Sequence, residues 1–169
     1  MENIIYMNAN AIRHFYDYHF TINGKVWDQC VSHLSLEQFS EDVNYSHGSV
    51  RDQILHLISV DDAWFSDLSG SAFIDEPDSA ENPNYGTIRA YWDKVEEKMR
   101  HYLAALDDVK LSTKPLEGED KDLLLWQVLL HVVNHGTDHR AQILRLMNDL
   151  GVETSWQDYI FFCYGRPVE

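Results

Sequence analysis

Apolar residues recur every three or four positions along four stretches of this chain, and nowhere is there a sustained alternation with period two. That pattern restricts the fold to helices, each burying one face. The first stretch runs from about Ile4 to His33 with Ile12, Phe15, Ile22 and Val26 on its stripe, and Asn23 and Gly24 mark a point where it kinks or divides. The polar run HLSLEQFSED follows and reads as a loop. The second stretch starts at Ser49, whose hydroxyl is placed to cap with Asp52 three residues on. It carries Val50, Ile54, Leu57, Trp64 and Leu68 and stops at Gly70. The third spans about Thr87 to Leu106, with Ile88, Tyr91, Trp92, Val95, Met99, Tyr102 and Leu103 in one stripe. The fourth, about Lys121 to Leu150, ends before Gly151, a residue favoured just past a helix C-terminus.

A long connection, SAFIDEPDSAENPNYG with Pro77 and Pro83, separates the second stretch from the third, and LEGEDKD leads into the fourth. The expected architecture is therefore an all-α four-helix bundle with one long loop between its second and third helices. With no internal repeat or low-complexity tract, residues 1–169 read as a single domain. The first half of the fourth stretch, Leu123 to Leu130, is apolar almost all round, which one core-facing stripe does not require. Two covers fit it, a second subunit in a homodimer or the aromatic tail SWQDYIFFCYG.

Charge narrows the function. Thirteen Lys and Arg against 28 Asp and Glu leave a formal charge of -15, and no basic stripe interrupts it. Direct nucleic-acid binding and docking on anionic membranes are both disfavoured. The longest apolar run, LLLWQVLLHVV, is too short to span a bilayer, and MENIIYMNANAIRHFYDYHF has neither a basic leader nor a continuous apolar segment. A cytoplasmic protein is expected, with Cys30 and Cys163 as buried small hydrophobes and no disulfide.

The remaining signal is histidine. HVVNHGTDHR places His131, His135 and His139 at intervals of four. Nine histidines in 169 residues give about half of one HxxxH pair by chance, so one pair is weak and two overlapping pairs are somewhat better. On a helix, positions four apart lie about 6 Å along the axis and about 40° around it, so His135 and His139 can converge on one cation. His131 and His139 cannot both reach it from a straight helix, being about 12 Å apart along the axis. His131 either donates to a ligand from behind or packs beside Trp126 and Gln127. A third ligand has to come from elsewhere, and His56 in RDQILHLISV is the best placed, flanked by apolar residues in mid-helix. The alternative for His56 is a core imidazole satisfied by a hydroxyl, a carbonyl or a water. His14, His19, His33, His47 and His101 stand among polar neighbours and read as solvated, His47 least firmly because it immediately precedes the second helix. Asp138 and Arg140 read as a surface ion pair or cap. HExxH, a Glu-x-x-His pair, GxSxG and a phosphate-binding glycine loop are all absent.

The long first helix with HLSLEQFSED after it, SHGSVRDQILHLISVDDAWFSDLSG and above all LLHVVNHGTDHRAQI resemble the DinB family, with SWQDYIFFCYG matching the family's tail. The resemblance covers nearly the whole chain and implies a four-helix bundle of DinB/YfiT type. It also implies a metal site with one His from the second helix and two from the last, here His56, His135 and His139. The implied cofactor is a divalent transition metal ion, zinc or nickel first. Three imidazoles leave a coordination position open, as in catalytic rather than structural sites. Relatives of this kind include S-transferases acting on a small bacterial thiol and an electrophile, which sets the leading functional expectation; no catalytic side chain is assigned. The rivals are a non-enzymatic metal or small-ligand binding protein of the stress response, and a metal-dependent hydrolase.

Overall fold

Each long helix starts where a side chain meets its free N–H groups. In the computed structural model, which describes residues 7–77 and 84–165, Asn8 Oδ1 accepts from the Ala11 N–H, Ser49 Oγ from the Asp52 N–H and Asn84 Oδ1 from the Thr87 N–H. These caps open α1 (Ala9–His33), α3 (Val50–Ser69) and α4 (Tyr85–Ala104), and α5 (Leu125–Asp149) starts where Gln127 Oε1 accepts from the Leu124 N–H. Two short helices complete the chain, α2 (Leu36–Ser40) and α6 (Tyr159–Cys163), and the described residues contain no strand. Gly70 ends α3 at φ 64°, a left-handed position that suits a residue without Cβ.

The direction of each helix follows from side-chain pairs along it. Tyr16 donates to the Leu129 carbonyl (3.0 Å) and Cys30 meets Met147 further along, so α1 and α5 run parallel. Arg13 donates to the Leu103 carbonyl near the end of α4 and Trp27 packs on Trp92 nearer its start, so α4 opposes α1. Gln53 meets His139 and Trp64 meets His131, so α3 opposes α5. The order around the bundle is α1, α5, α3, α4, with α3 and α4 both pointing down. A chain leaving the bottom of α3 must climb back before starting α4, and that return is the long connection expected from the sequence. Lys98 on α4 anchors its start, donating to Asp62 Oδ1 (2.6 Å), Ser66 Oγ (2.7 Å) and the Ala72 carbonyl (2.9 Å).

Several boundaries differ from the sequence reading. α1 passes through Asn23 and Gly24 unbroken; its expected start at Ile4 lies outside the described residues, as does Pro83, while Met7 and Asn8 are not helical. HLSLEQFSED contains α2, because Ser35 and Gln38 cap each other reciprocally and Phe39 is buried beside Trp27 and Tyr85. α5 begins at Leu125, since Gly118–Asp120 forms a 3-10 turn and the Leu125 N–H is held by the Thr113 carbonyl (2.8 Å). The segment around Lys110–Ser112, with Leu111 buried, packs against α5, while the aromatic tail lies on α1, where Tyr159 packs against Phe15 and Tyr18. Cys30 is buried as expected, whereas Cys163 is exposed at the end of α6.

The bundle interior is not wholly apolar. His19, Asn23, Asp61 and Arg140 are all buried, which corrects the reading of His19 as solvated and of Arg140 as a surface partner of Asp138. Arg140 Nη1 donates to Asn23 Oδ1 (2.8 Å) and to His19 Nδ1 (3.2 Å), and its Nη2 donates to Thr137 Oγ1 (2.9 Å). A guanidinium cannot accept, so His19 Nδ1 is the acceptor in that bond, while His19 Nε2 lies 3.2 Å from Asp61 Oδ2 and 3.1 Å from Asn23 Nδ2. The His19 ring fills the space over Gly136: a Cβ there would lie 2.8 Å from His19 Nδ1 and 3.1 Å from Arg140 Nη1. Helical Gly costs about 1 kcal/mol against Ala, and here the missing methyl admits a third helix's imidazole. Gly136→Ala should therefore destabilise the fold by about 1–3 kcal/mol despite its better helix propensity, measured by urea denaturation, whereas Gly24→Ala, with open space around it, should be neutral or stabilising.

Candidate metal centre

The antiparallel contact of α3 and α5 brings imidazoles together. His56 lies mid-way along α3, His135 and His139 lie one turn apart on α5, and their ring centroids are separated by 5.5 Å (His56–His135), 4.5 Å (His56–His139) and 4.3 Å (His135–His139). A fourth ring joins from the loop before α3: His47 stacks on His56 at 3.8 Å. One nitrogen each of His47, His56 and His139 lie within 4.8 Å of one another, a set able to hold a metal ion. The three-histidine cluster thus differs at one position from the sequence expectation, with His47 in the place of His135, and His135 borders it. His131 is exposed, its ring edge-on to Trp64, outside the cluster.

His47 was the residue that sequence reasoning set aside. It is exposed, and local sequence gives no hint that the chain turns back over His56. The turn depends on backbone in left-handed territory: Ser46 at φ 49° and Gly48 at φ 92° flank His47, and a Cβ on Gly48 would lie 2.6 Å from Asp42 Oδ1.

The donors fit a divalent transition metal. Burial is the first cause that lowers the proton affinity of His56, His135 and His139, and neighbouring imidazoles lower it further; His56 is pushed down to about 4. All three are consequently neutral near pH 7 and offer lone pairs. Gln53, fully buried, fixes His139: its amide NH₂ donates to Gln142 Oε1 (3.4 Å), so its carbonyl oxygen faces His139 Nδ1 at 3.3 Å and accepts that proton. Nε2 of His139 is left as a bare donor. Nitrogens around a tetrahedral zinc stand about 3.3 Å apart, so small side-chain rotations suffice to close the cluster. No carboxylate belongs to the set, as expected for an ion preferring imidazole.

The chain is similar to known proteins over nearly its whole length. A sequence profile described as the DinB family matches residues 7–167. Over 163 residues the chain is 22% identical to the Protein DinB of Bacillus subtilis (strain 168), covering 91% of this chain and 94% of that one. The crystal structure of a DinB-like protein from Bacillus cereus ATCC 10987 matches with a TM-score of 0.69 at 18% identity, covering 90% of this chain and 100% of that one, a likeness of fold. Among the described residues no helix is long and apolar enough to cross a membrane.

The depressed proton affinities set a pH dependence for the metal-free protein. An unfolded histidine takes up its proton near pH 6.5, while folded His56 resists until about 4. Between those values the unfolded state binds more protons, so stability falls as pH falls through that window and levels off below it. Urea midpoints measured in chelator from pH 7 to pH 5 should decline, and His56→Ala should flatten the decline.

Proposed function

The chain belongs to the DinB family, and from that premise we propose that it binds one divalent transition metal ion, zinc or nickel, through His56, His135 and His139. The observation that carries the reading is the gathering of neutral imidazoles at the α3–α5 contact, His139 buried and His56 and His135 half-buried, with one nitrogen of His139 already freed by Gln53. The Nδ1 of His135, buried without a partner, marks that residue as one whose role the protein alone does not complete. His47 closes the solvent side of the cluster and is proposed as an exchangeable fourth neighbour. An ion held there supplies Lewis acidity that lowers the pKa of a thiol or water at its open position.

The activity proposed is transfer of a small thiol onto an electrophile. The thiol proton is lost to solvent, a sulfur–carbon bond forms, and the leaving group departs with its electron pair. The protein's own part is to keep His56, His135 and His139 unprotonated, to orient them, and to present reactants through the side where His47 sits on an exposed loop. A cleft of about 370 Å³ between this loop and the end of α5 begins two residues from His47; Val43, Tyr45, Val50 and Leu146 give it an apolar lining, with Arg145 at its edge. It suits the apolar body of an electrophile.

Elemental analysis of protein purified without chelators should find about one transition metal per chain. His56→Ala, His135→Ala and His139→Ala should each lose most of it, while His131→Ala and His47→Ala keep it. Retention in His135→Ala with loss in His47→Ala would assign the ligands to His47, His56 and His139 instead. Metal-loaded protein should consume low-molecular-weight thiols in the presence of an activated aryl or alkyl halide, followed by loss of free thiol. Stoichiometric metal with no thiol consumption or ester hydrolysis would favour a binding protein, and hydrolysis alone a hydrolase.

A further inference from the structure

We propose that Asp61 is a positioning residue for His135, accepting its Nδ1 proton through one bridging water and so turning Nε2 toward the cluster. The proposal rests on the metal reading given above. Among the described residues, two buried side-chain polar atoms have no hydrogen-bond partner, Asp61 Oδ1 and His135 Nδ1. One is an obligate acceptor when the carboxylate is ionised, and the other is a donor in one of two neutral tautomers. Leaving either unpaired in the interior costs about 1–3 kcal/mol, so two complementary orphans in one neighbourhood point to each other.

Their neighbourhood is fixed from three sides. Gln53 meets His139 and Trp64 meets His131, so α3 and α5 are in register, in opposite directions, across the interval that holds both residues. Asp61, lying between Gln53 and Trp64, is level with the turn of α5 that contains His135. From α1, the His19 ring bonds Asp61 Oδ2 through Nε2 and rests over Gly136, the residue after His135. One imidazole therefore spans the gap between the Asp61 carboxylate and Gly136, the neighbour of His135 in the chain. In agreement, the Asp61 charge acts on the His135 ring to favour its protonated form, against the larger effect of burial.

The arrangement repeats on one helix what Gln53 does for His139. Metal-binding imidazoles generally donate their second N–H to an oxygen that fixes ring and tautomer, and removing that oxygen typically costs 10–100-fold in affinity. Gln53 and Asp61 would be the two such oxygens, the first neutral and the second charged. Asp61 has a separate structural duty to His19, so loss of stability alone would not identify the role.

The decisive measurement is the tautomer of His135 in metal-free protein labelled with nitrogen-15 histidine, assigned by comparison with His135→Ala. The expected result is Nδ1–H in the wild type and a shift to Nε2–H, the form preferred by free imidazole, in Asp61→Ala. Zinc affinity, read by chelator competition, should fall about 10–100-fold in Asp61→Ala. Asp61→Asn, which keeps shape and an acceptor, should recover most of it. If Asp61→Ala does not fold, the wild-type tautomer and the Asn variant still decide. A wild-type His135 in the Nε2–H form, or folded Asp61→Ala binding zinc within about twofold of wild type, would overturn the proposal. Wild-type protein that binds no zinc while showing the Nδ1–H tautomer would overturn the metal reading and leave Asp61's role standing.

Discussion

A guanidinium shut away from solvent holds this bundle in one arrangement. Arg140 reaches from α5 to His19 and Asn23 on α1 and to Gln157 in the tail, and through His19 it connects to Asp61 on α3. Burying such a charge without partners would be costly, and an apolar replacement of equal volume could well be more stable. What the network supplies is registry. Sliding α5 by one residue would turn it by about 100° and strip Arg140 of all these acceptors, whereas an apolar contact would tolerate the slip with a smaller loss. His139 immediately precedes Arg140 in the chain and His135 lies little more than one turn back, so the bonds that fix Arg140 also fix the direction in which both imidazoles leave the helix. The tail takes part in the same restraint, since Tyr18 donates to the Gln157 carbonyl (2.6 Å) and its ring lies under the guanidinium.

Above that rigid floor the imidazoles are arranged differently. His135 and His139 project from a helix whose rotation is set, and Gln53 settles the orientation of His139. His47 comes from backbone with two consecutive departures into positive φ around it, at Ser46 and Gly48. A site with fixed donors on helices and one donor on a strained turn has a firm side and an adjustable side, and the adjustable side is the one that faces solvent. Protonating any ring would set like charges against one another in a partly dry space, which is why His47 and His139 both appear among the influences that hold His56 unprotonated.

Sequence periodicity located the four long helices, the caps at Ser49 and Gly70 and the long return between the second and third, because each depends on local chemistry. HxxxH spacing pointed to the α5 pair, and an apolar mid-helix setting, to which the family resemblance added, pointed to His56. What escaped was tertiary pairing. His19 and Arg140 were judged by polar neighbours in sequence, yet their spacing carried a better signal. Ile12, Tyr16, His19, Asn23, Val26 and Cys30 follow one another at intervals of four and three, as do Leu129, Val133, Gly136, Arg140, Ile143 and Met147, and all are buried. Ile54, Ile58, Asp61 and Phe65 show the same intervals on α3. A polar residue in phase with an apolar stripe is a buried polar residue, and four such residues on three stripes, His19, Asn23, Asp61 and Arg140, imply that they satisfy one another. His47 left no comparable trace, since its position depends on the path of a loop rather than on a helical period.

The strong negative charge, which in the sequence argued only against nucleic acid and anionic membranes, also has a meaning at the site. His56, His135 and His139, held neutral, contribute no charge to attract a cation, and burial disfavours any charge that arrives. With a formal charge of -15 the protein surrounds the cluster with a potential that raises the local concentration of cations. Two carboxylates act at close range as well: Asp61 and Asp138 both oppose the depression of proton affinity at His135 and His139, and what favours a proton there favours a metal ion. The acidic surface and the neutral donor set are therefore complementary. For an ion held as proposed, the donors would select by imidazole preference and the field would offset part of its desolvation, so that the two would act together at the α3–α5 contact.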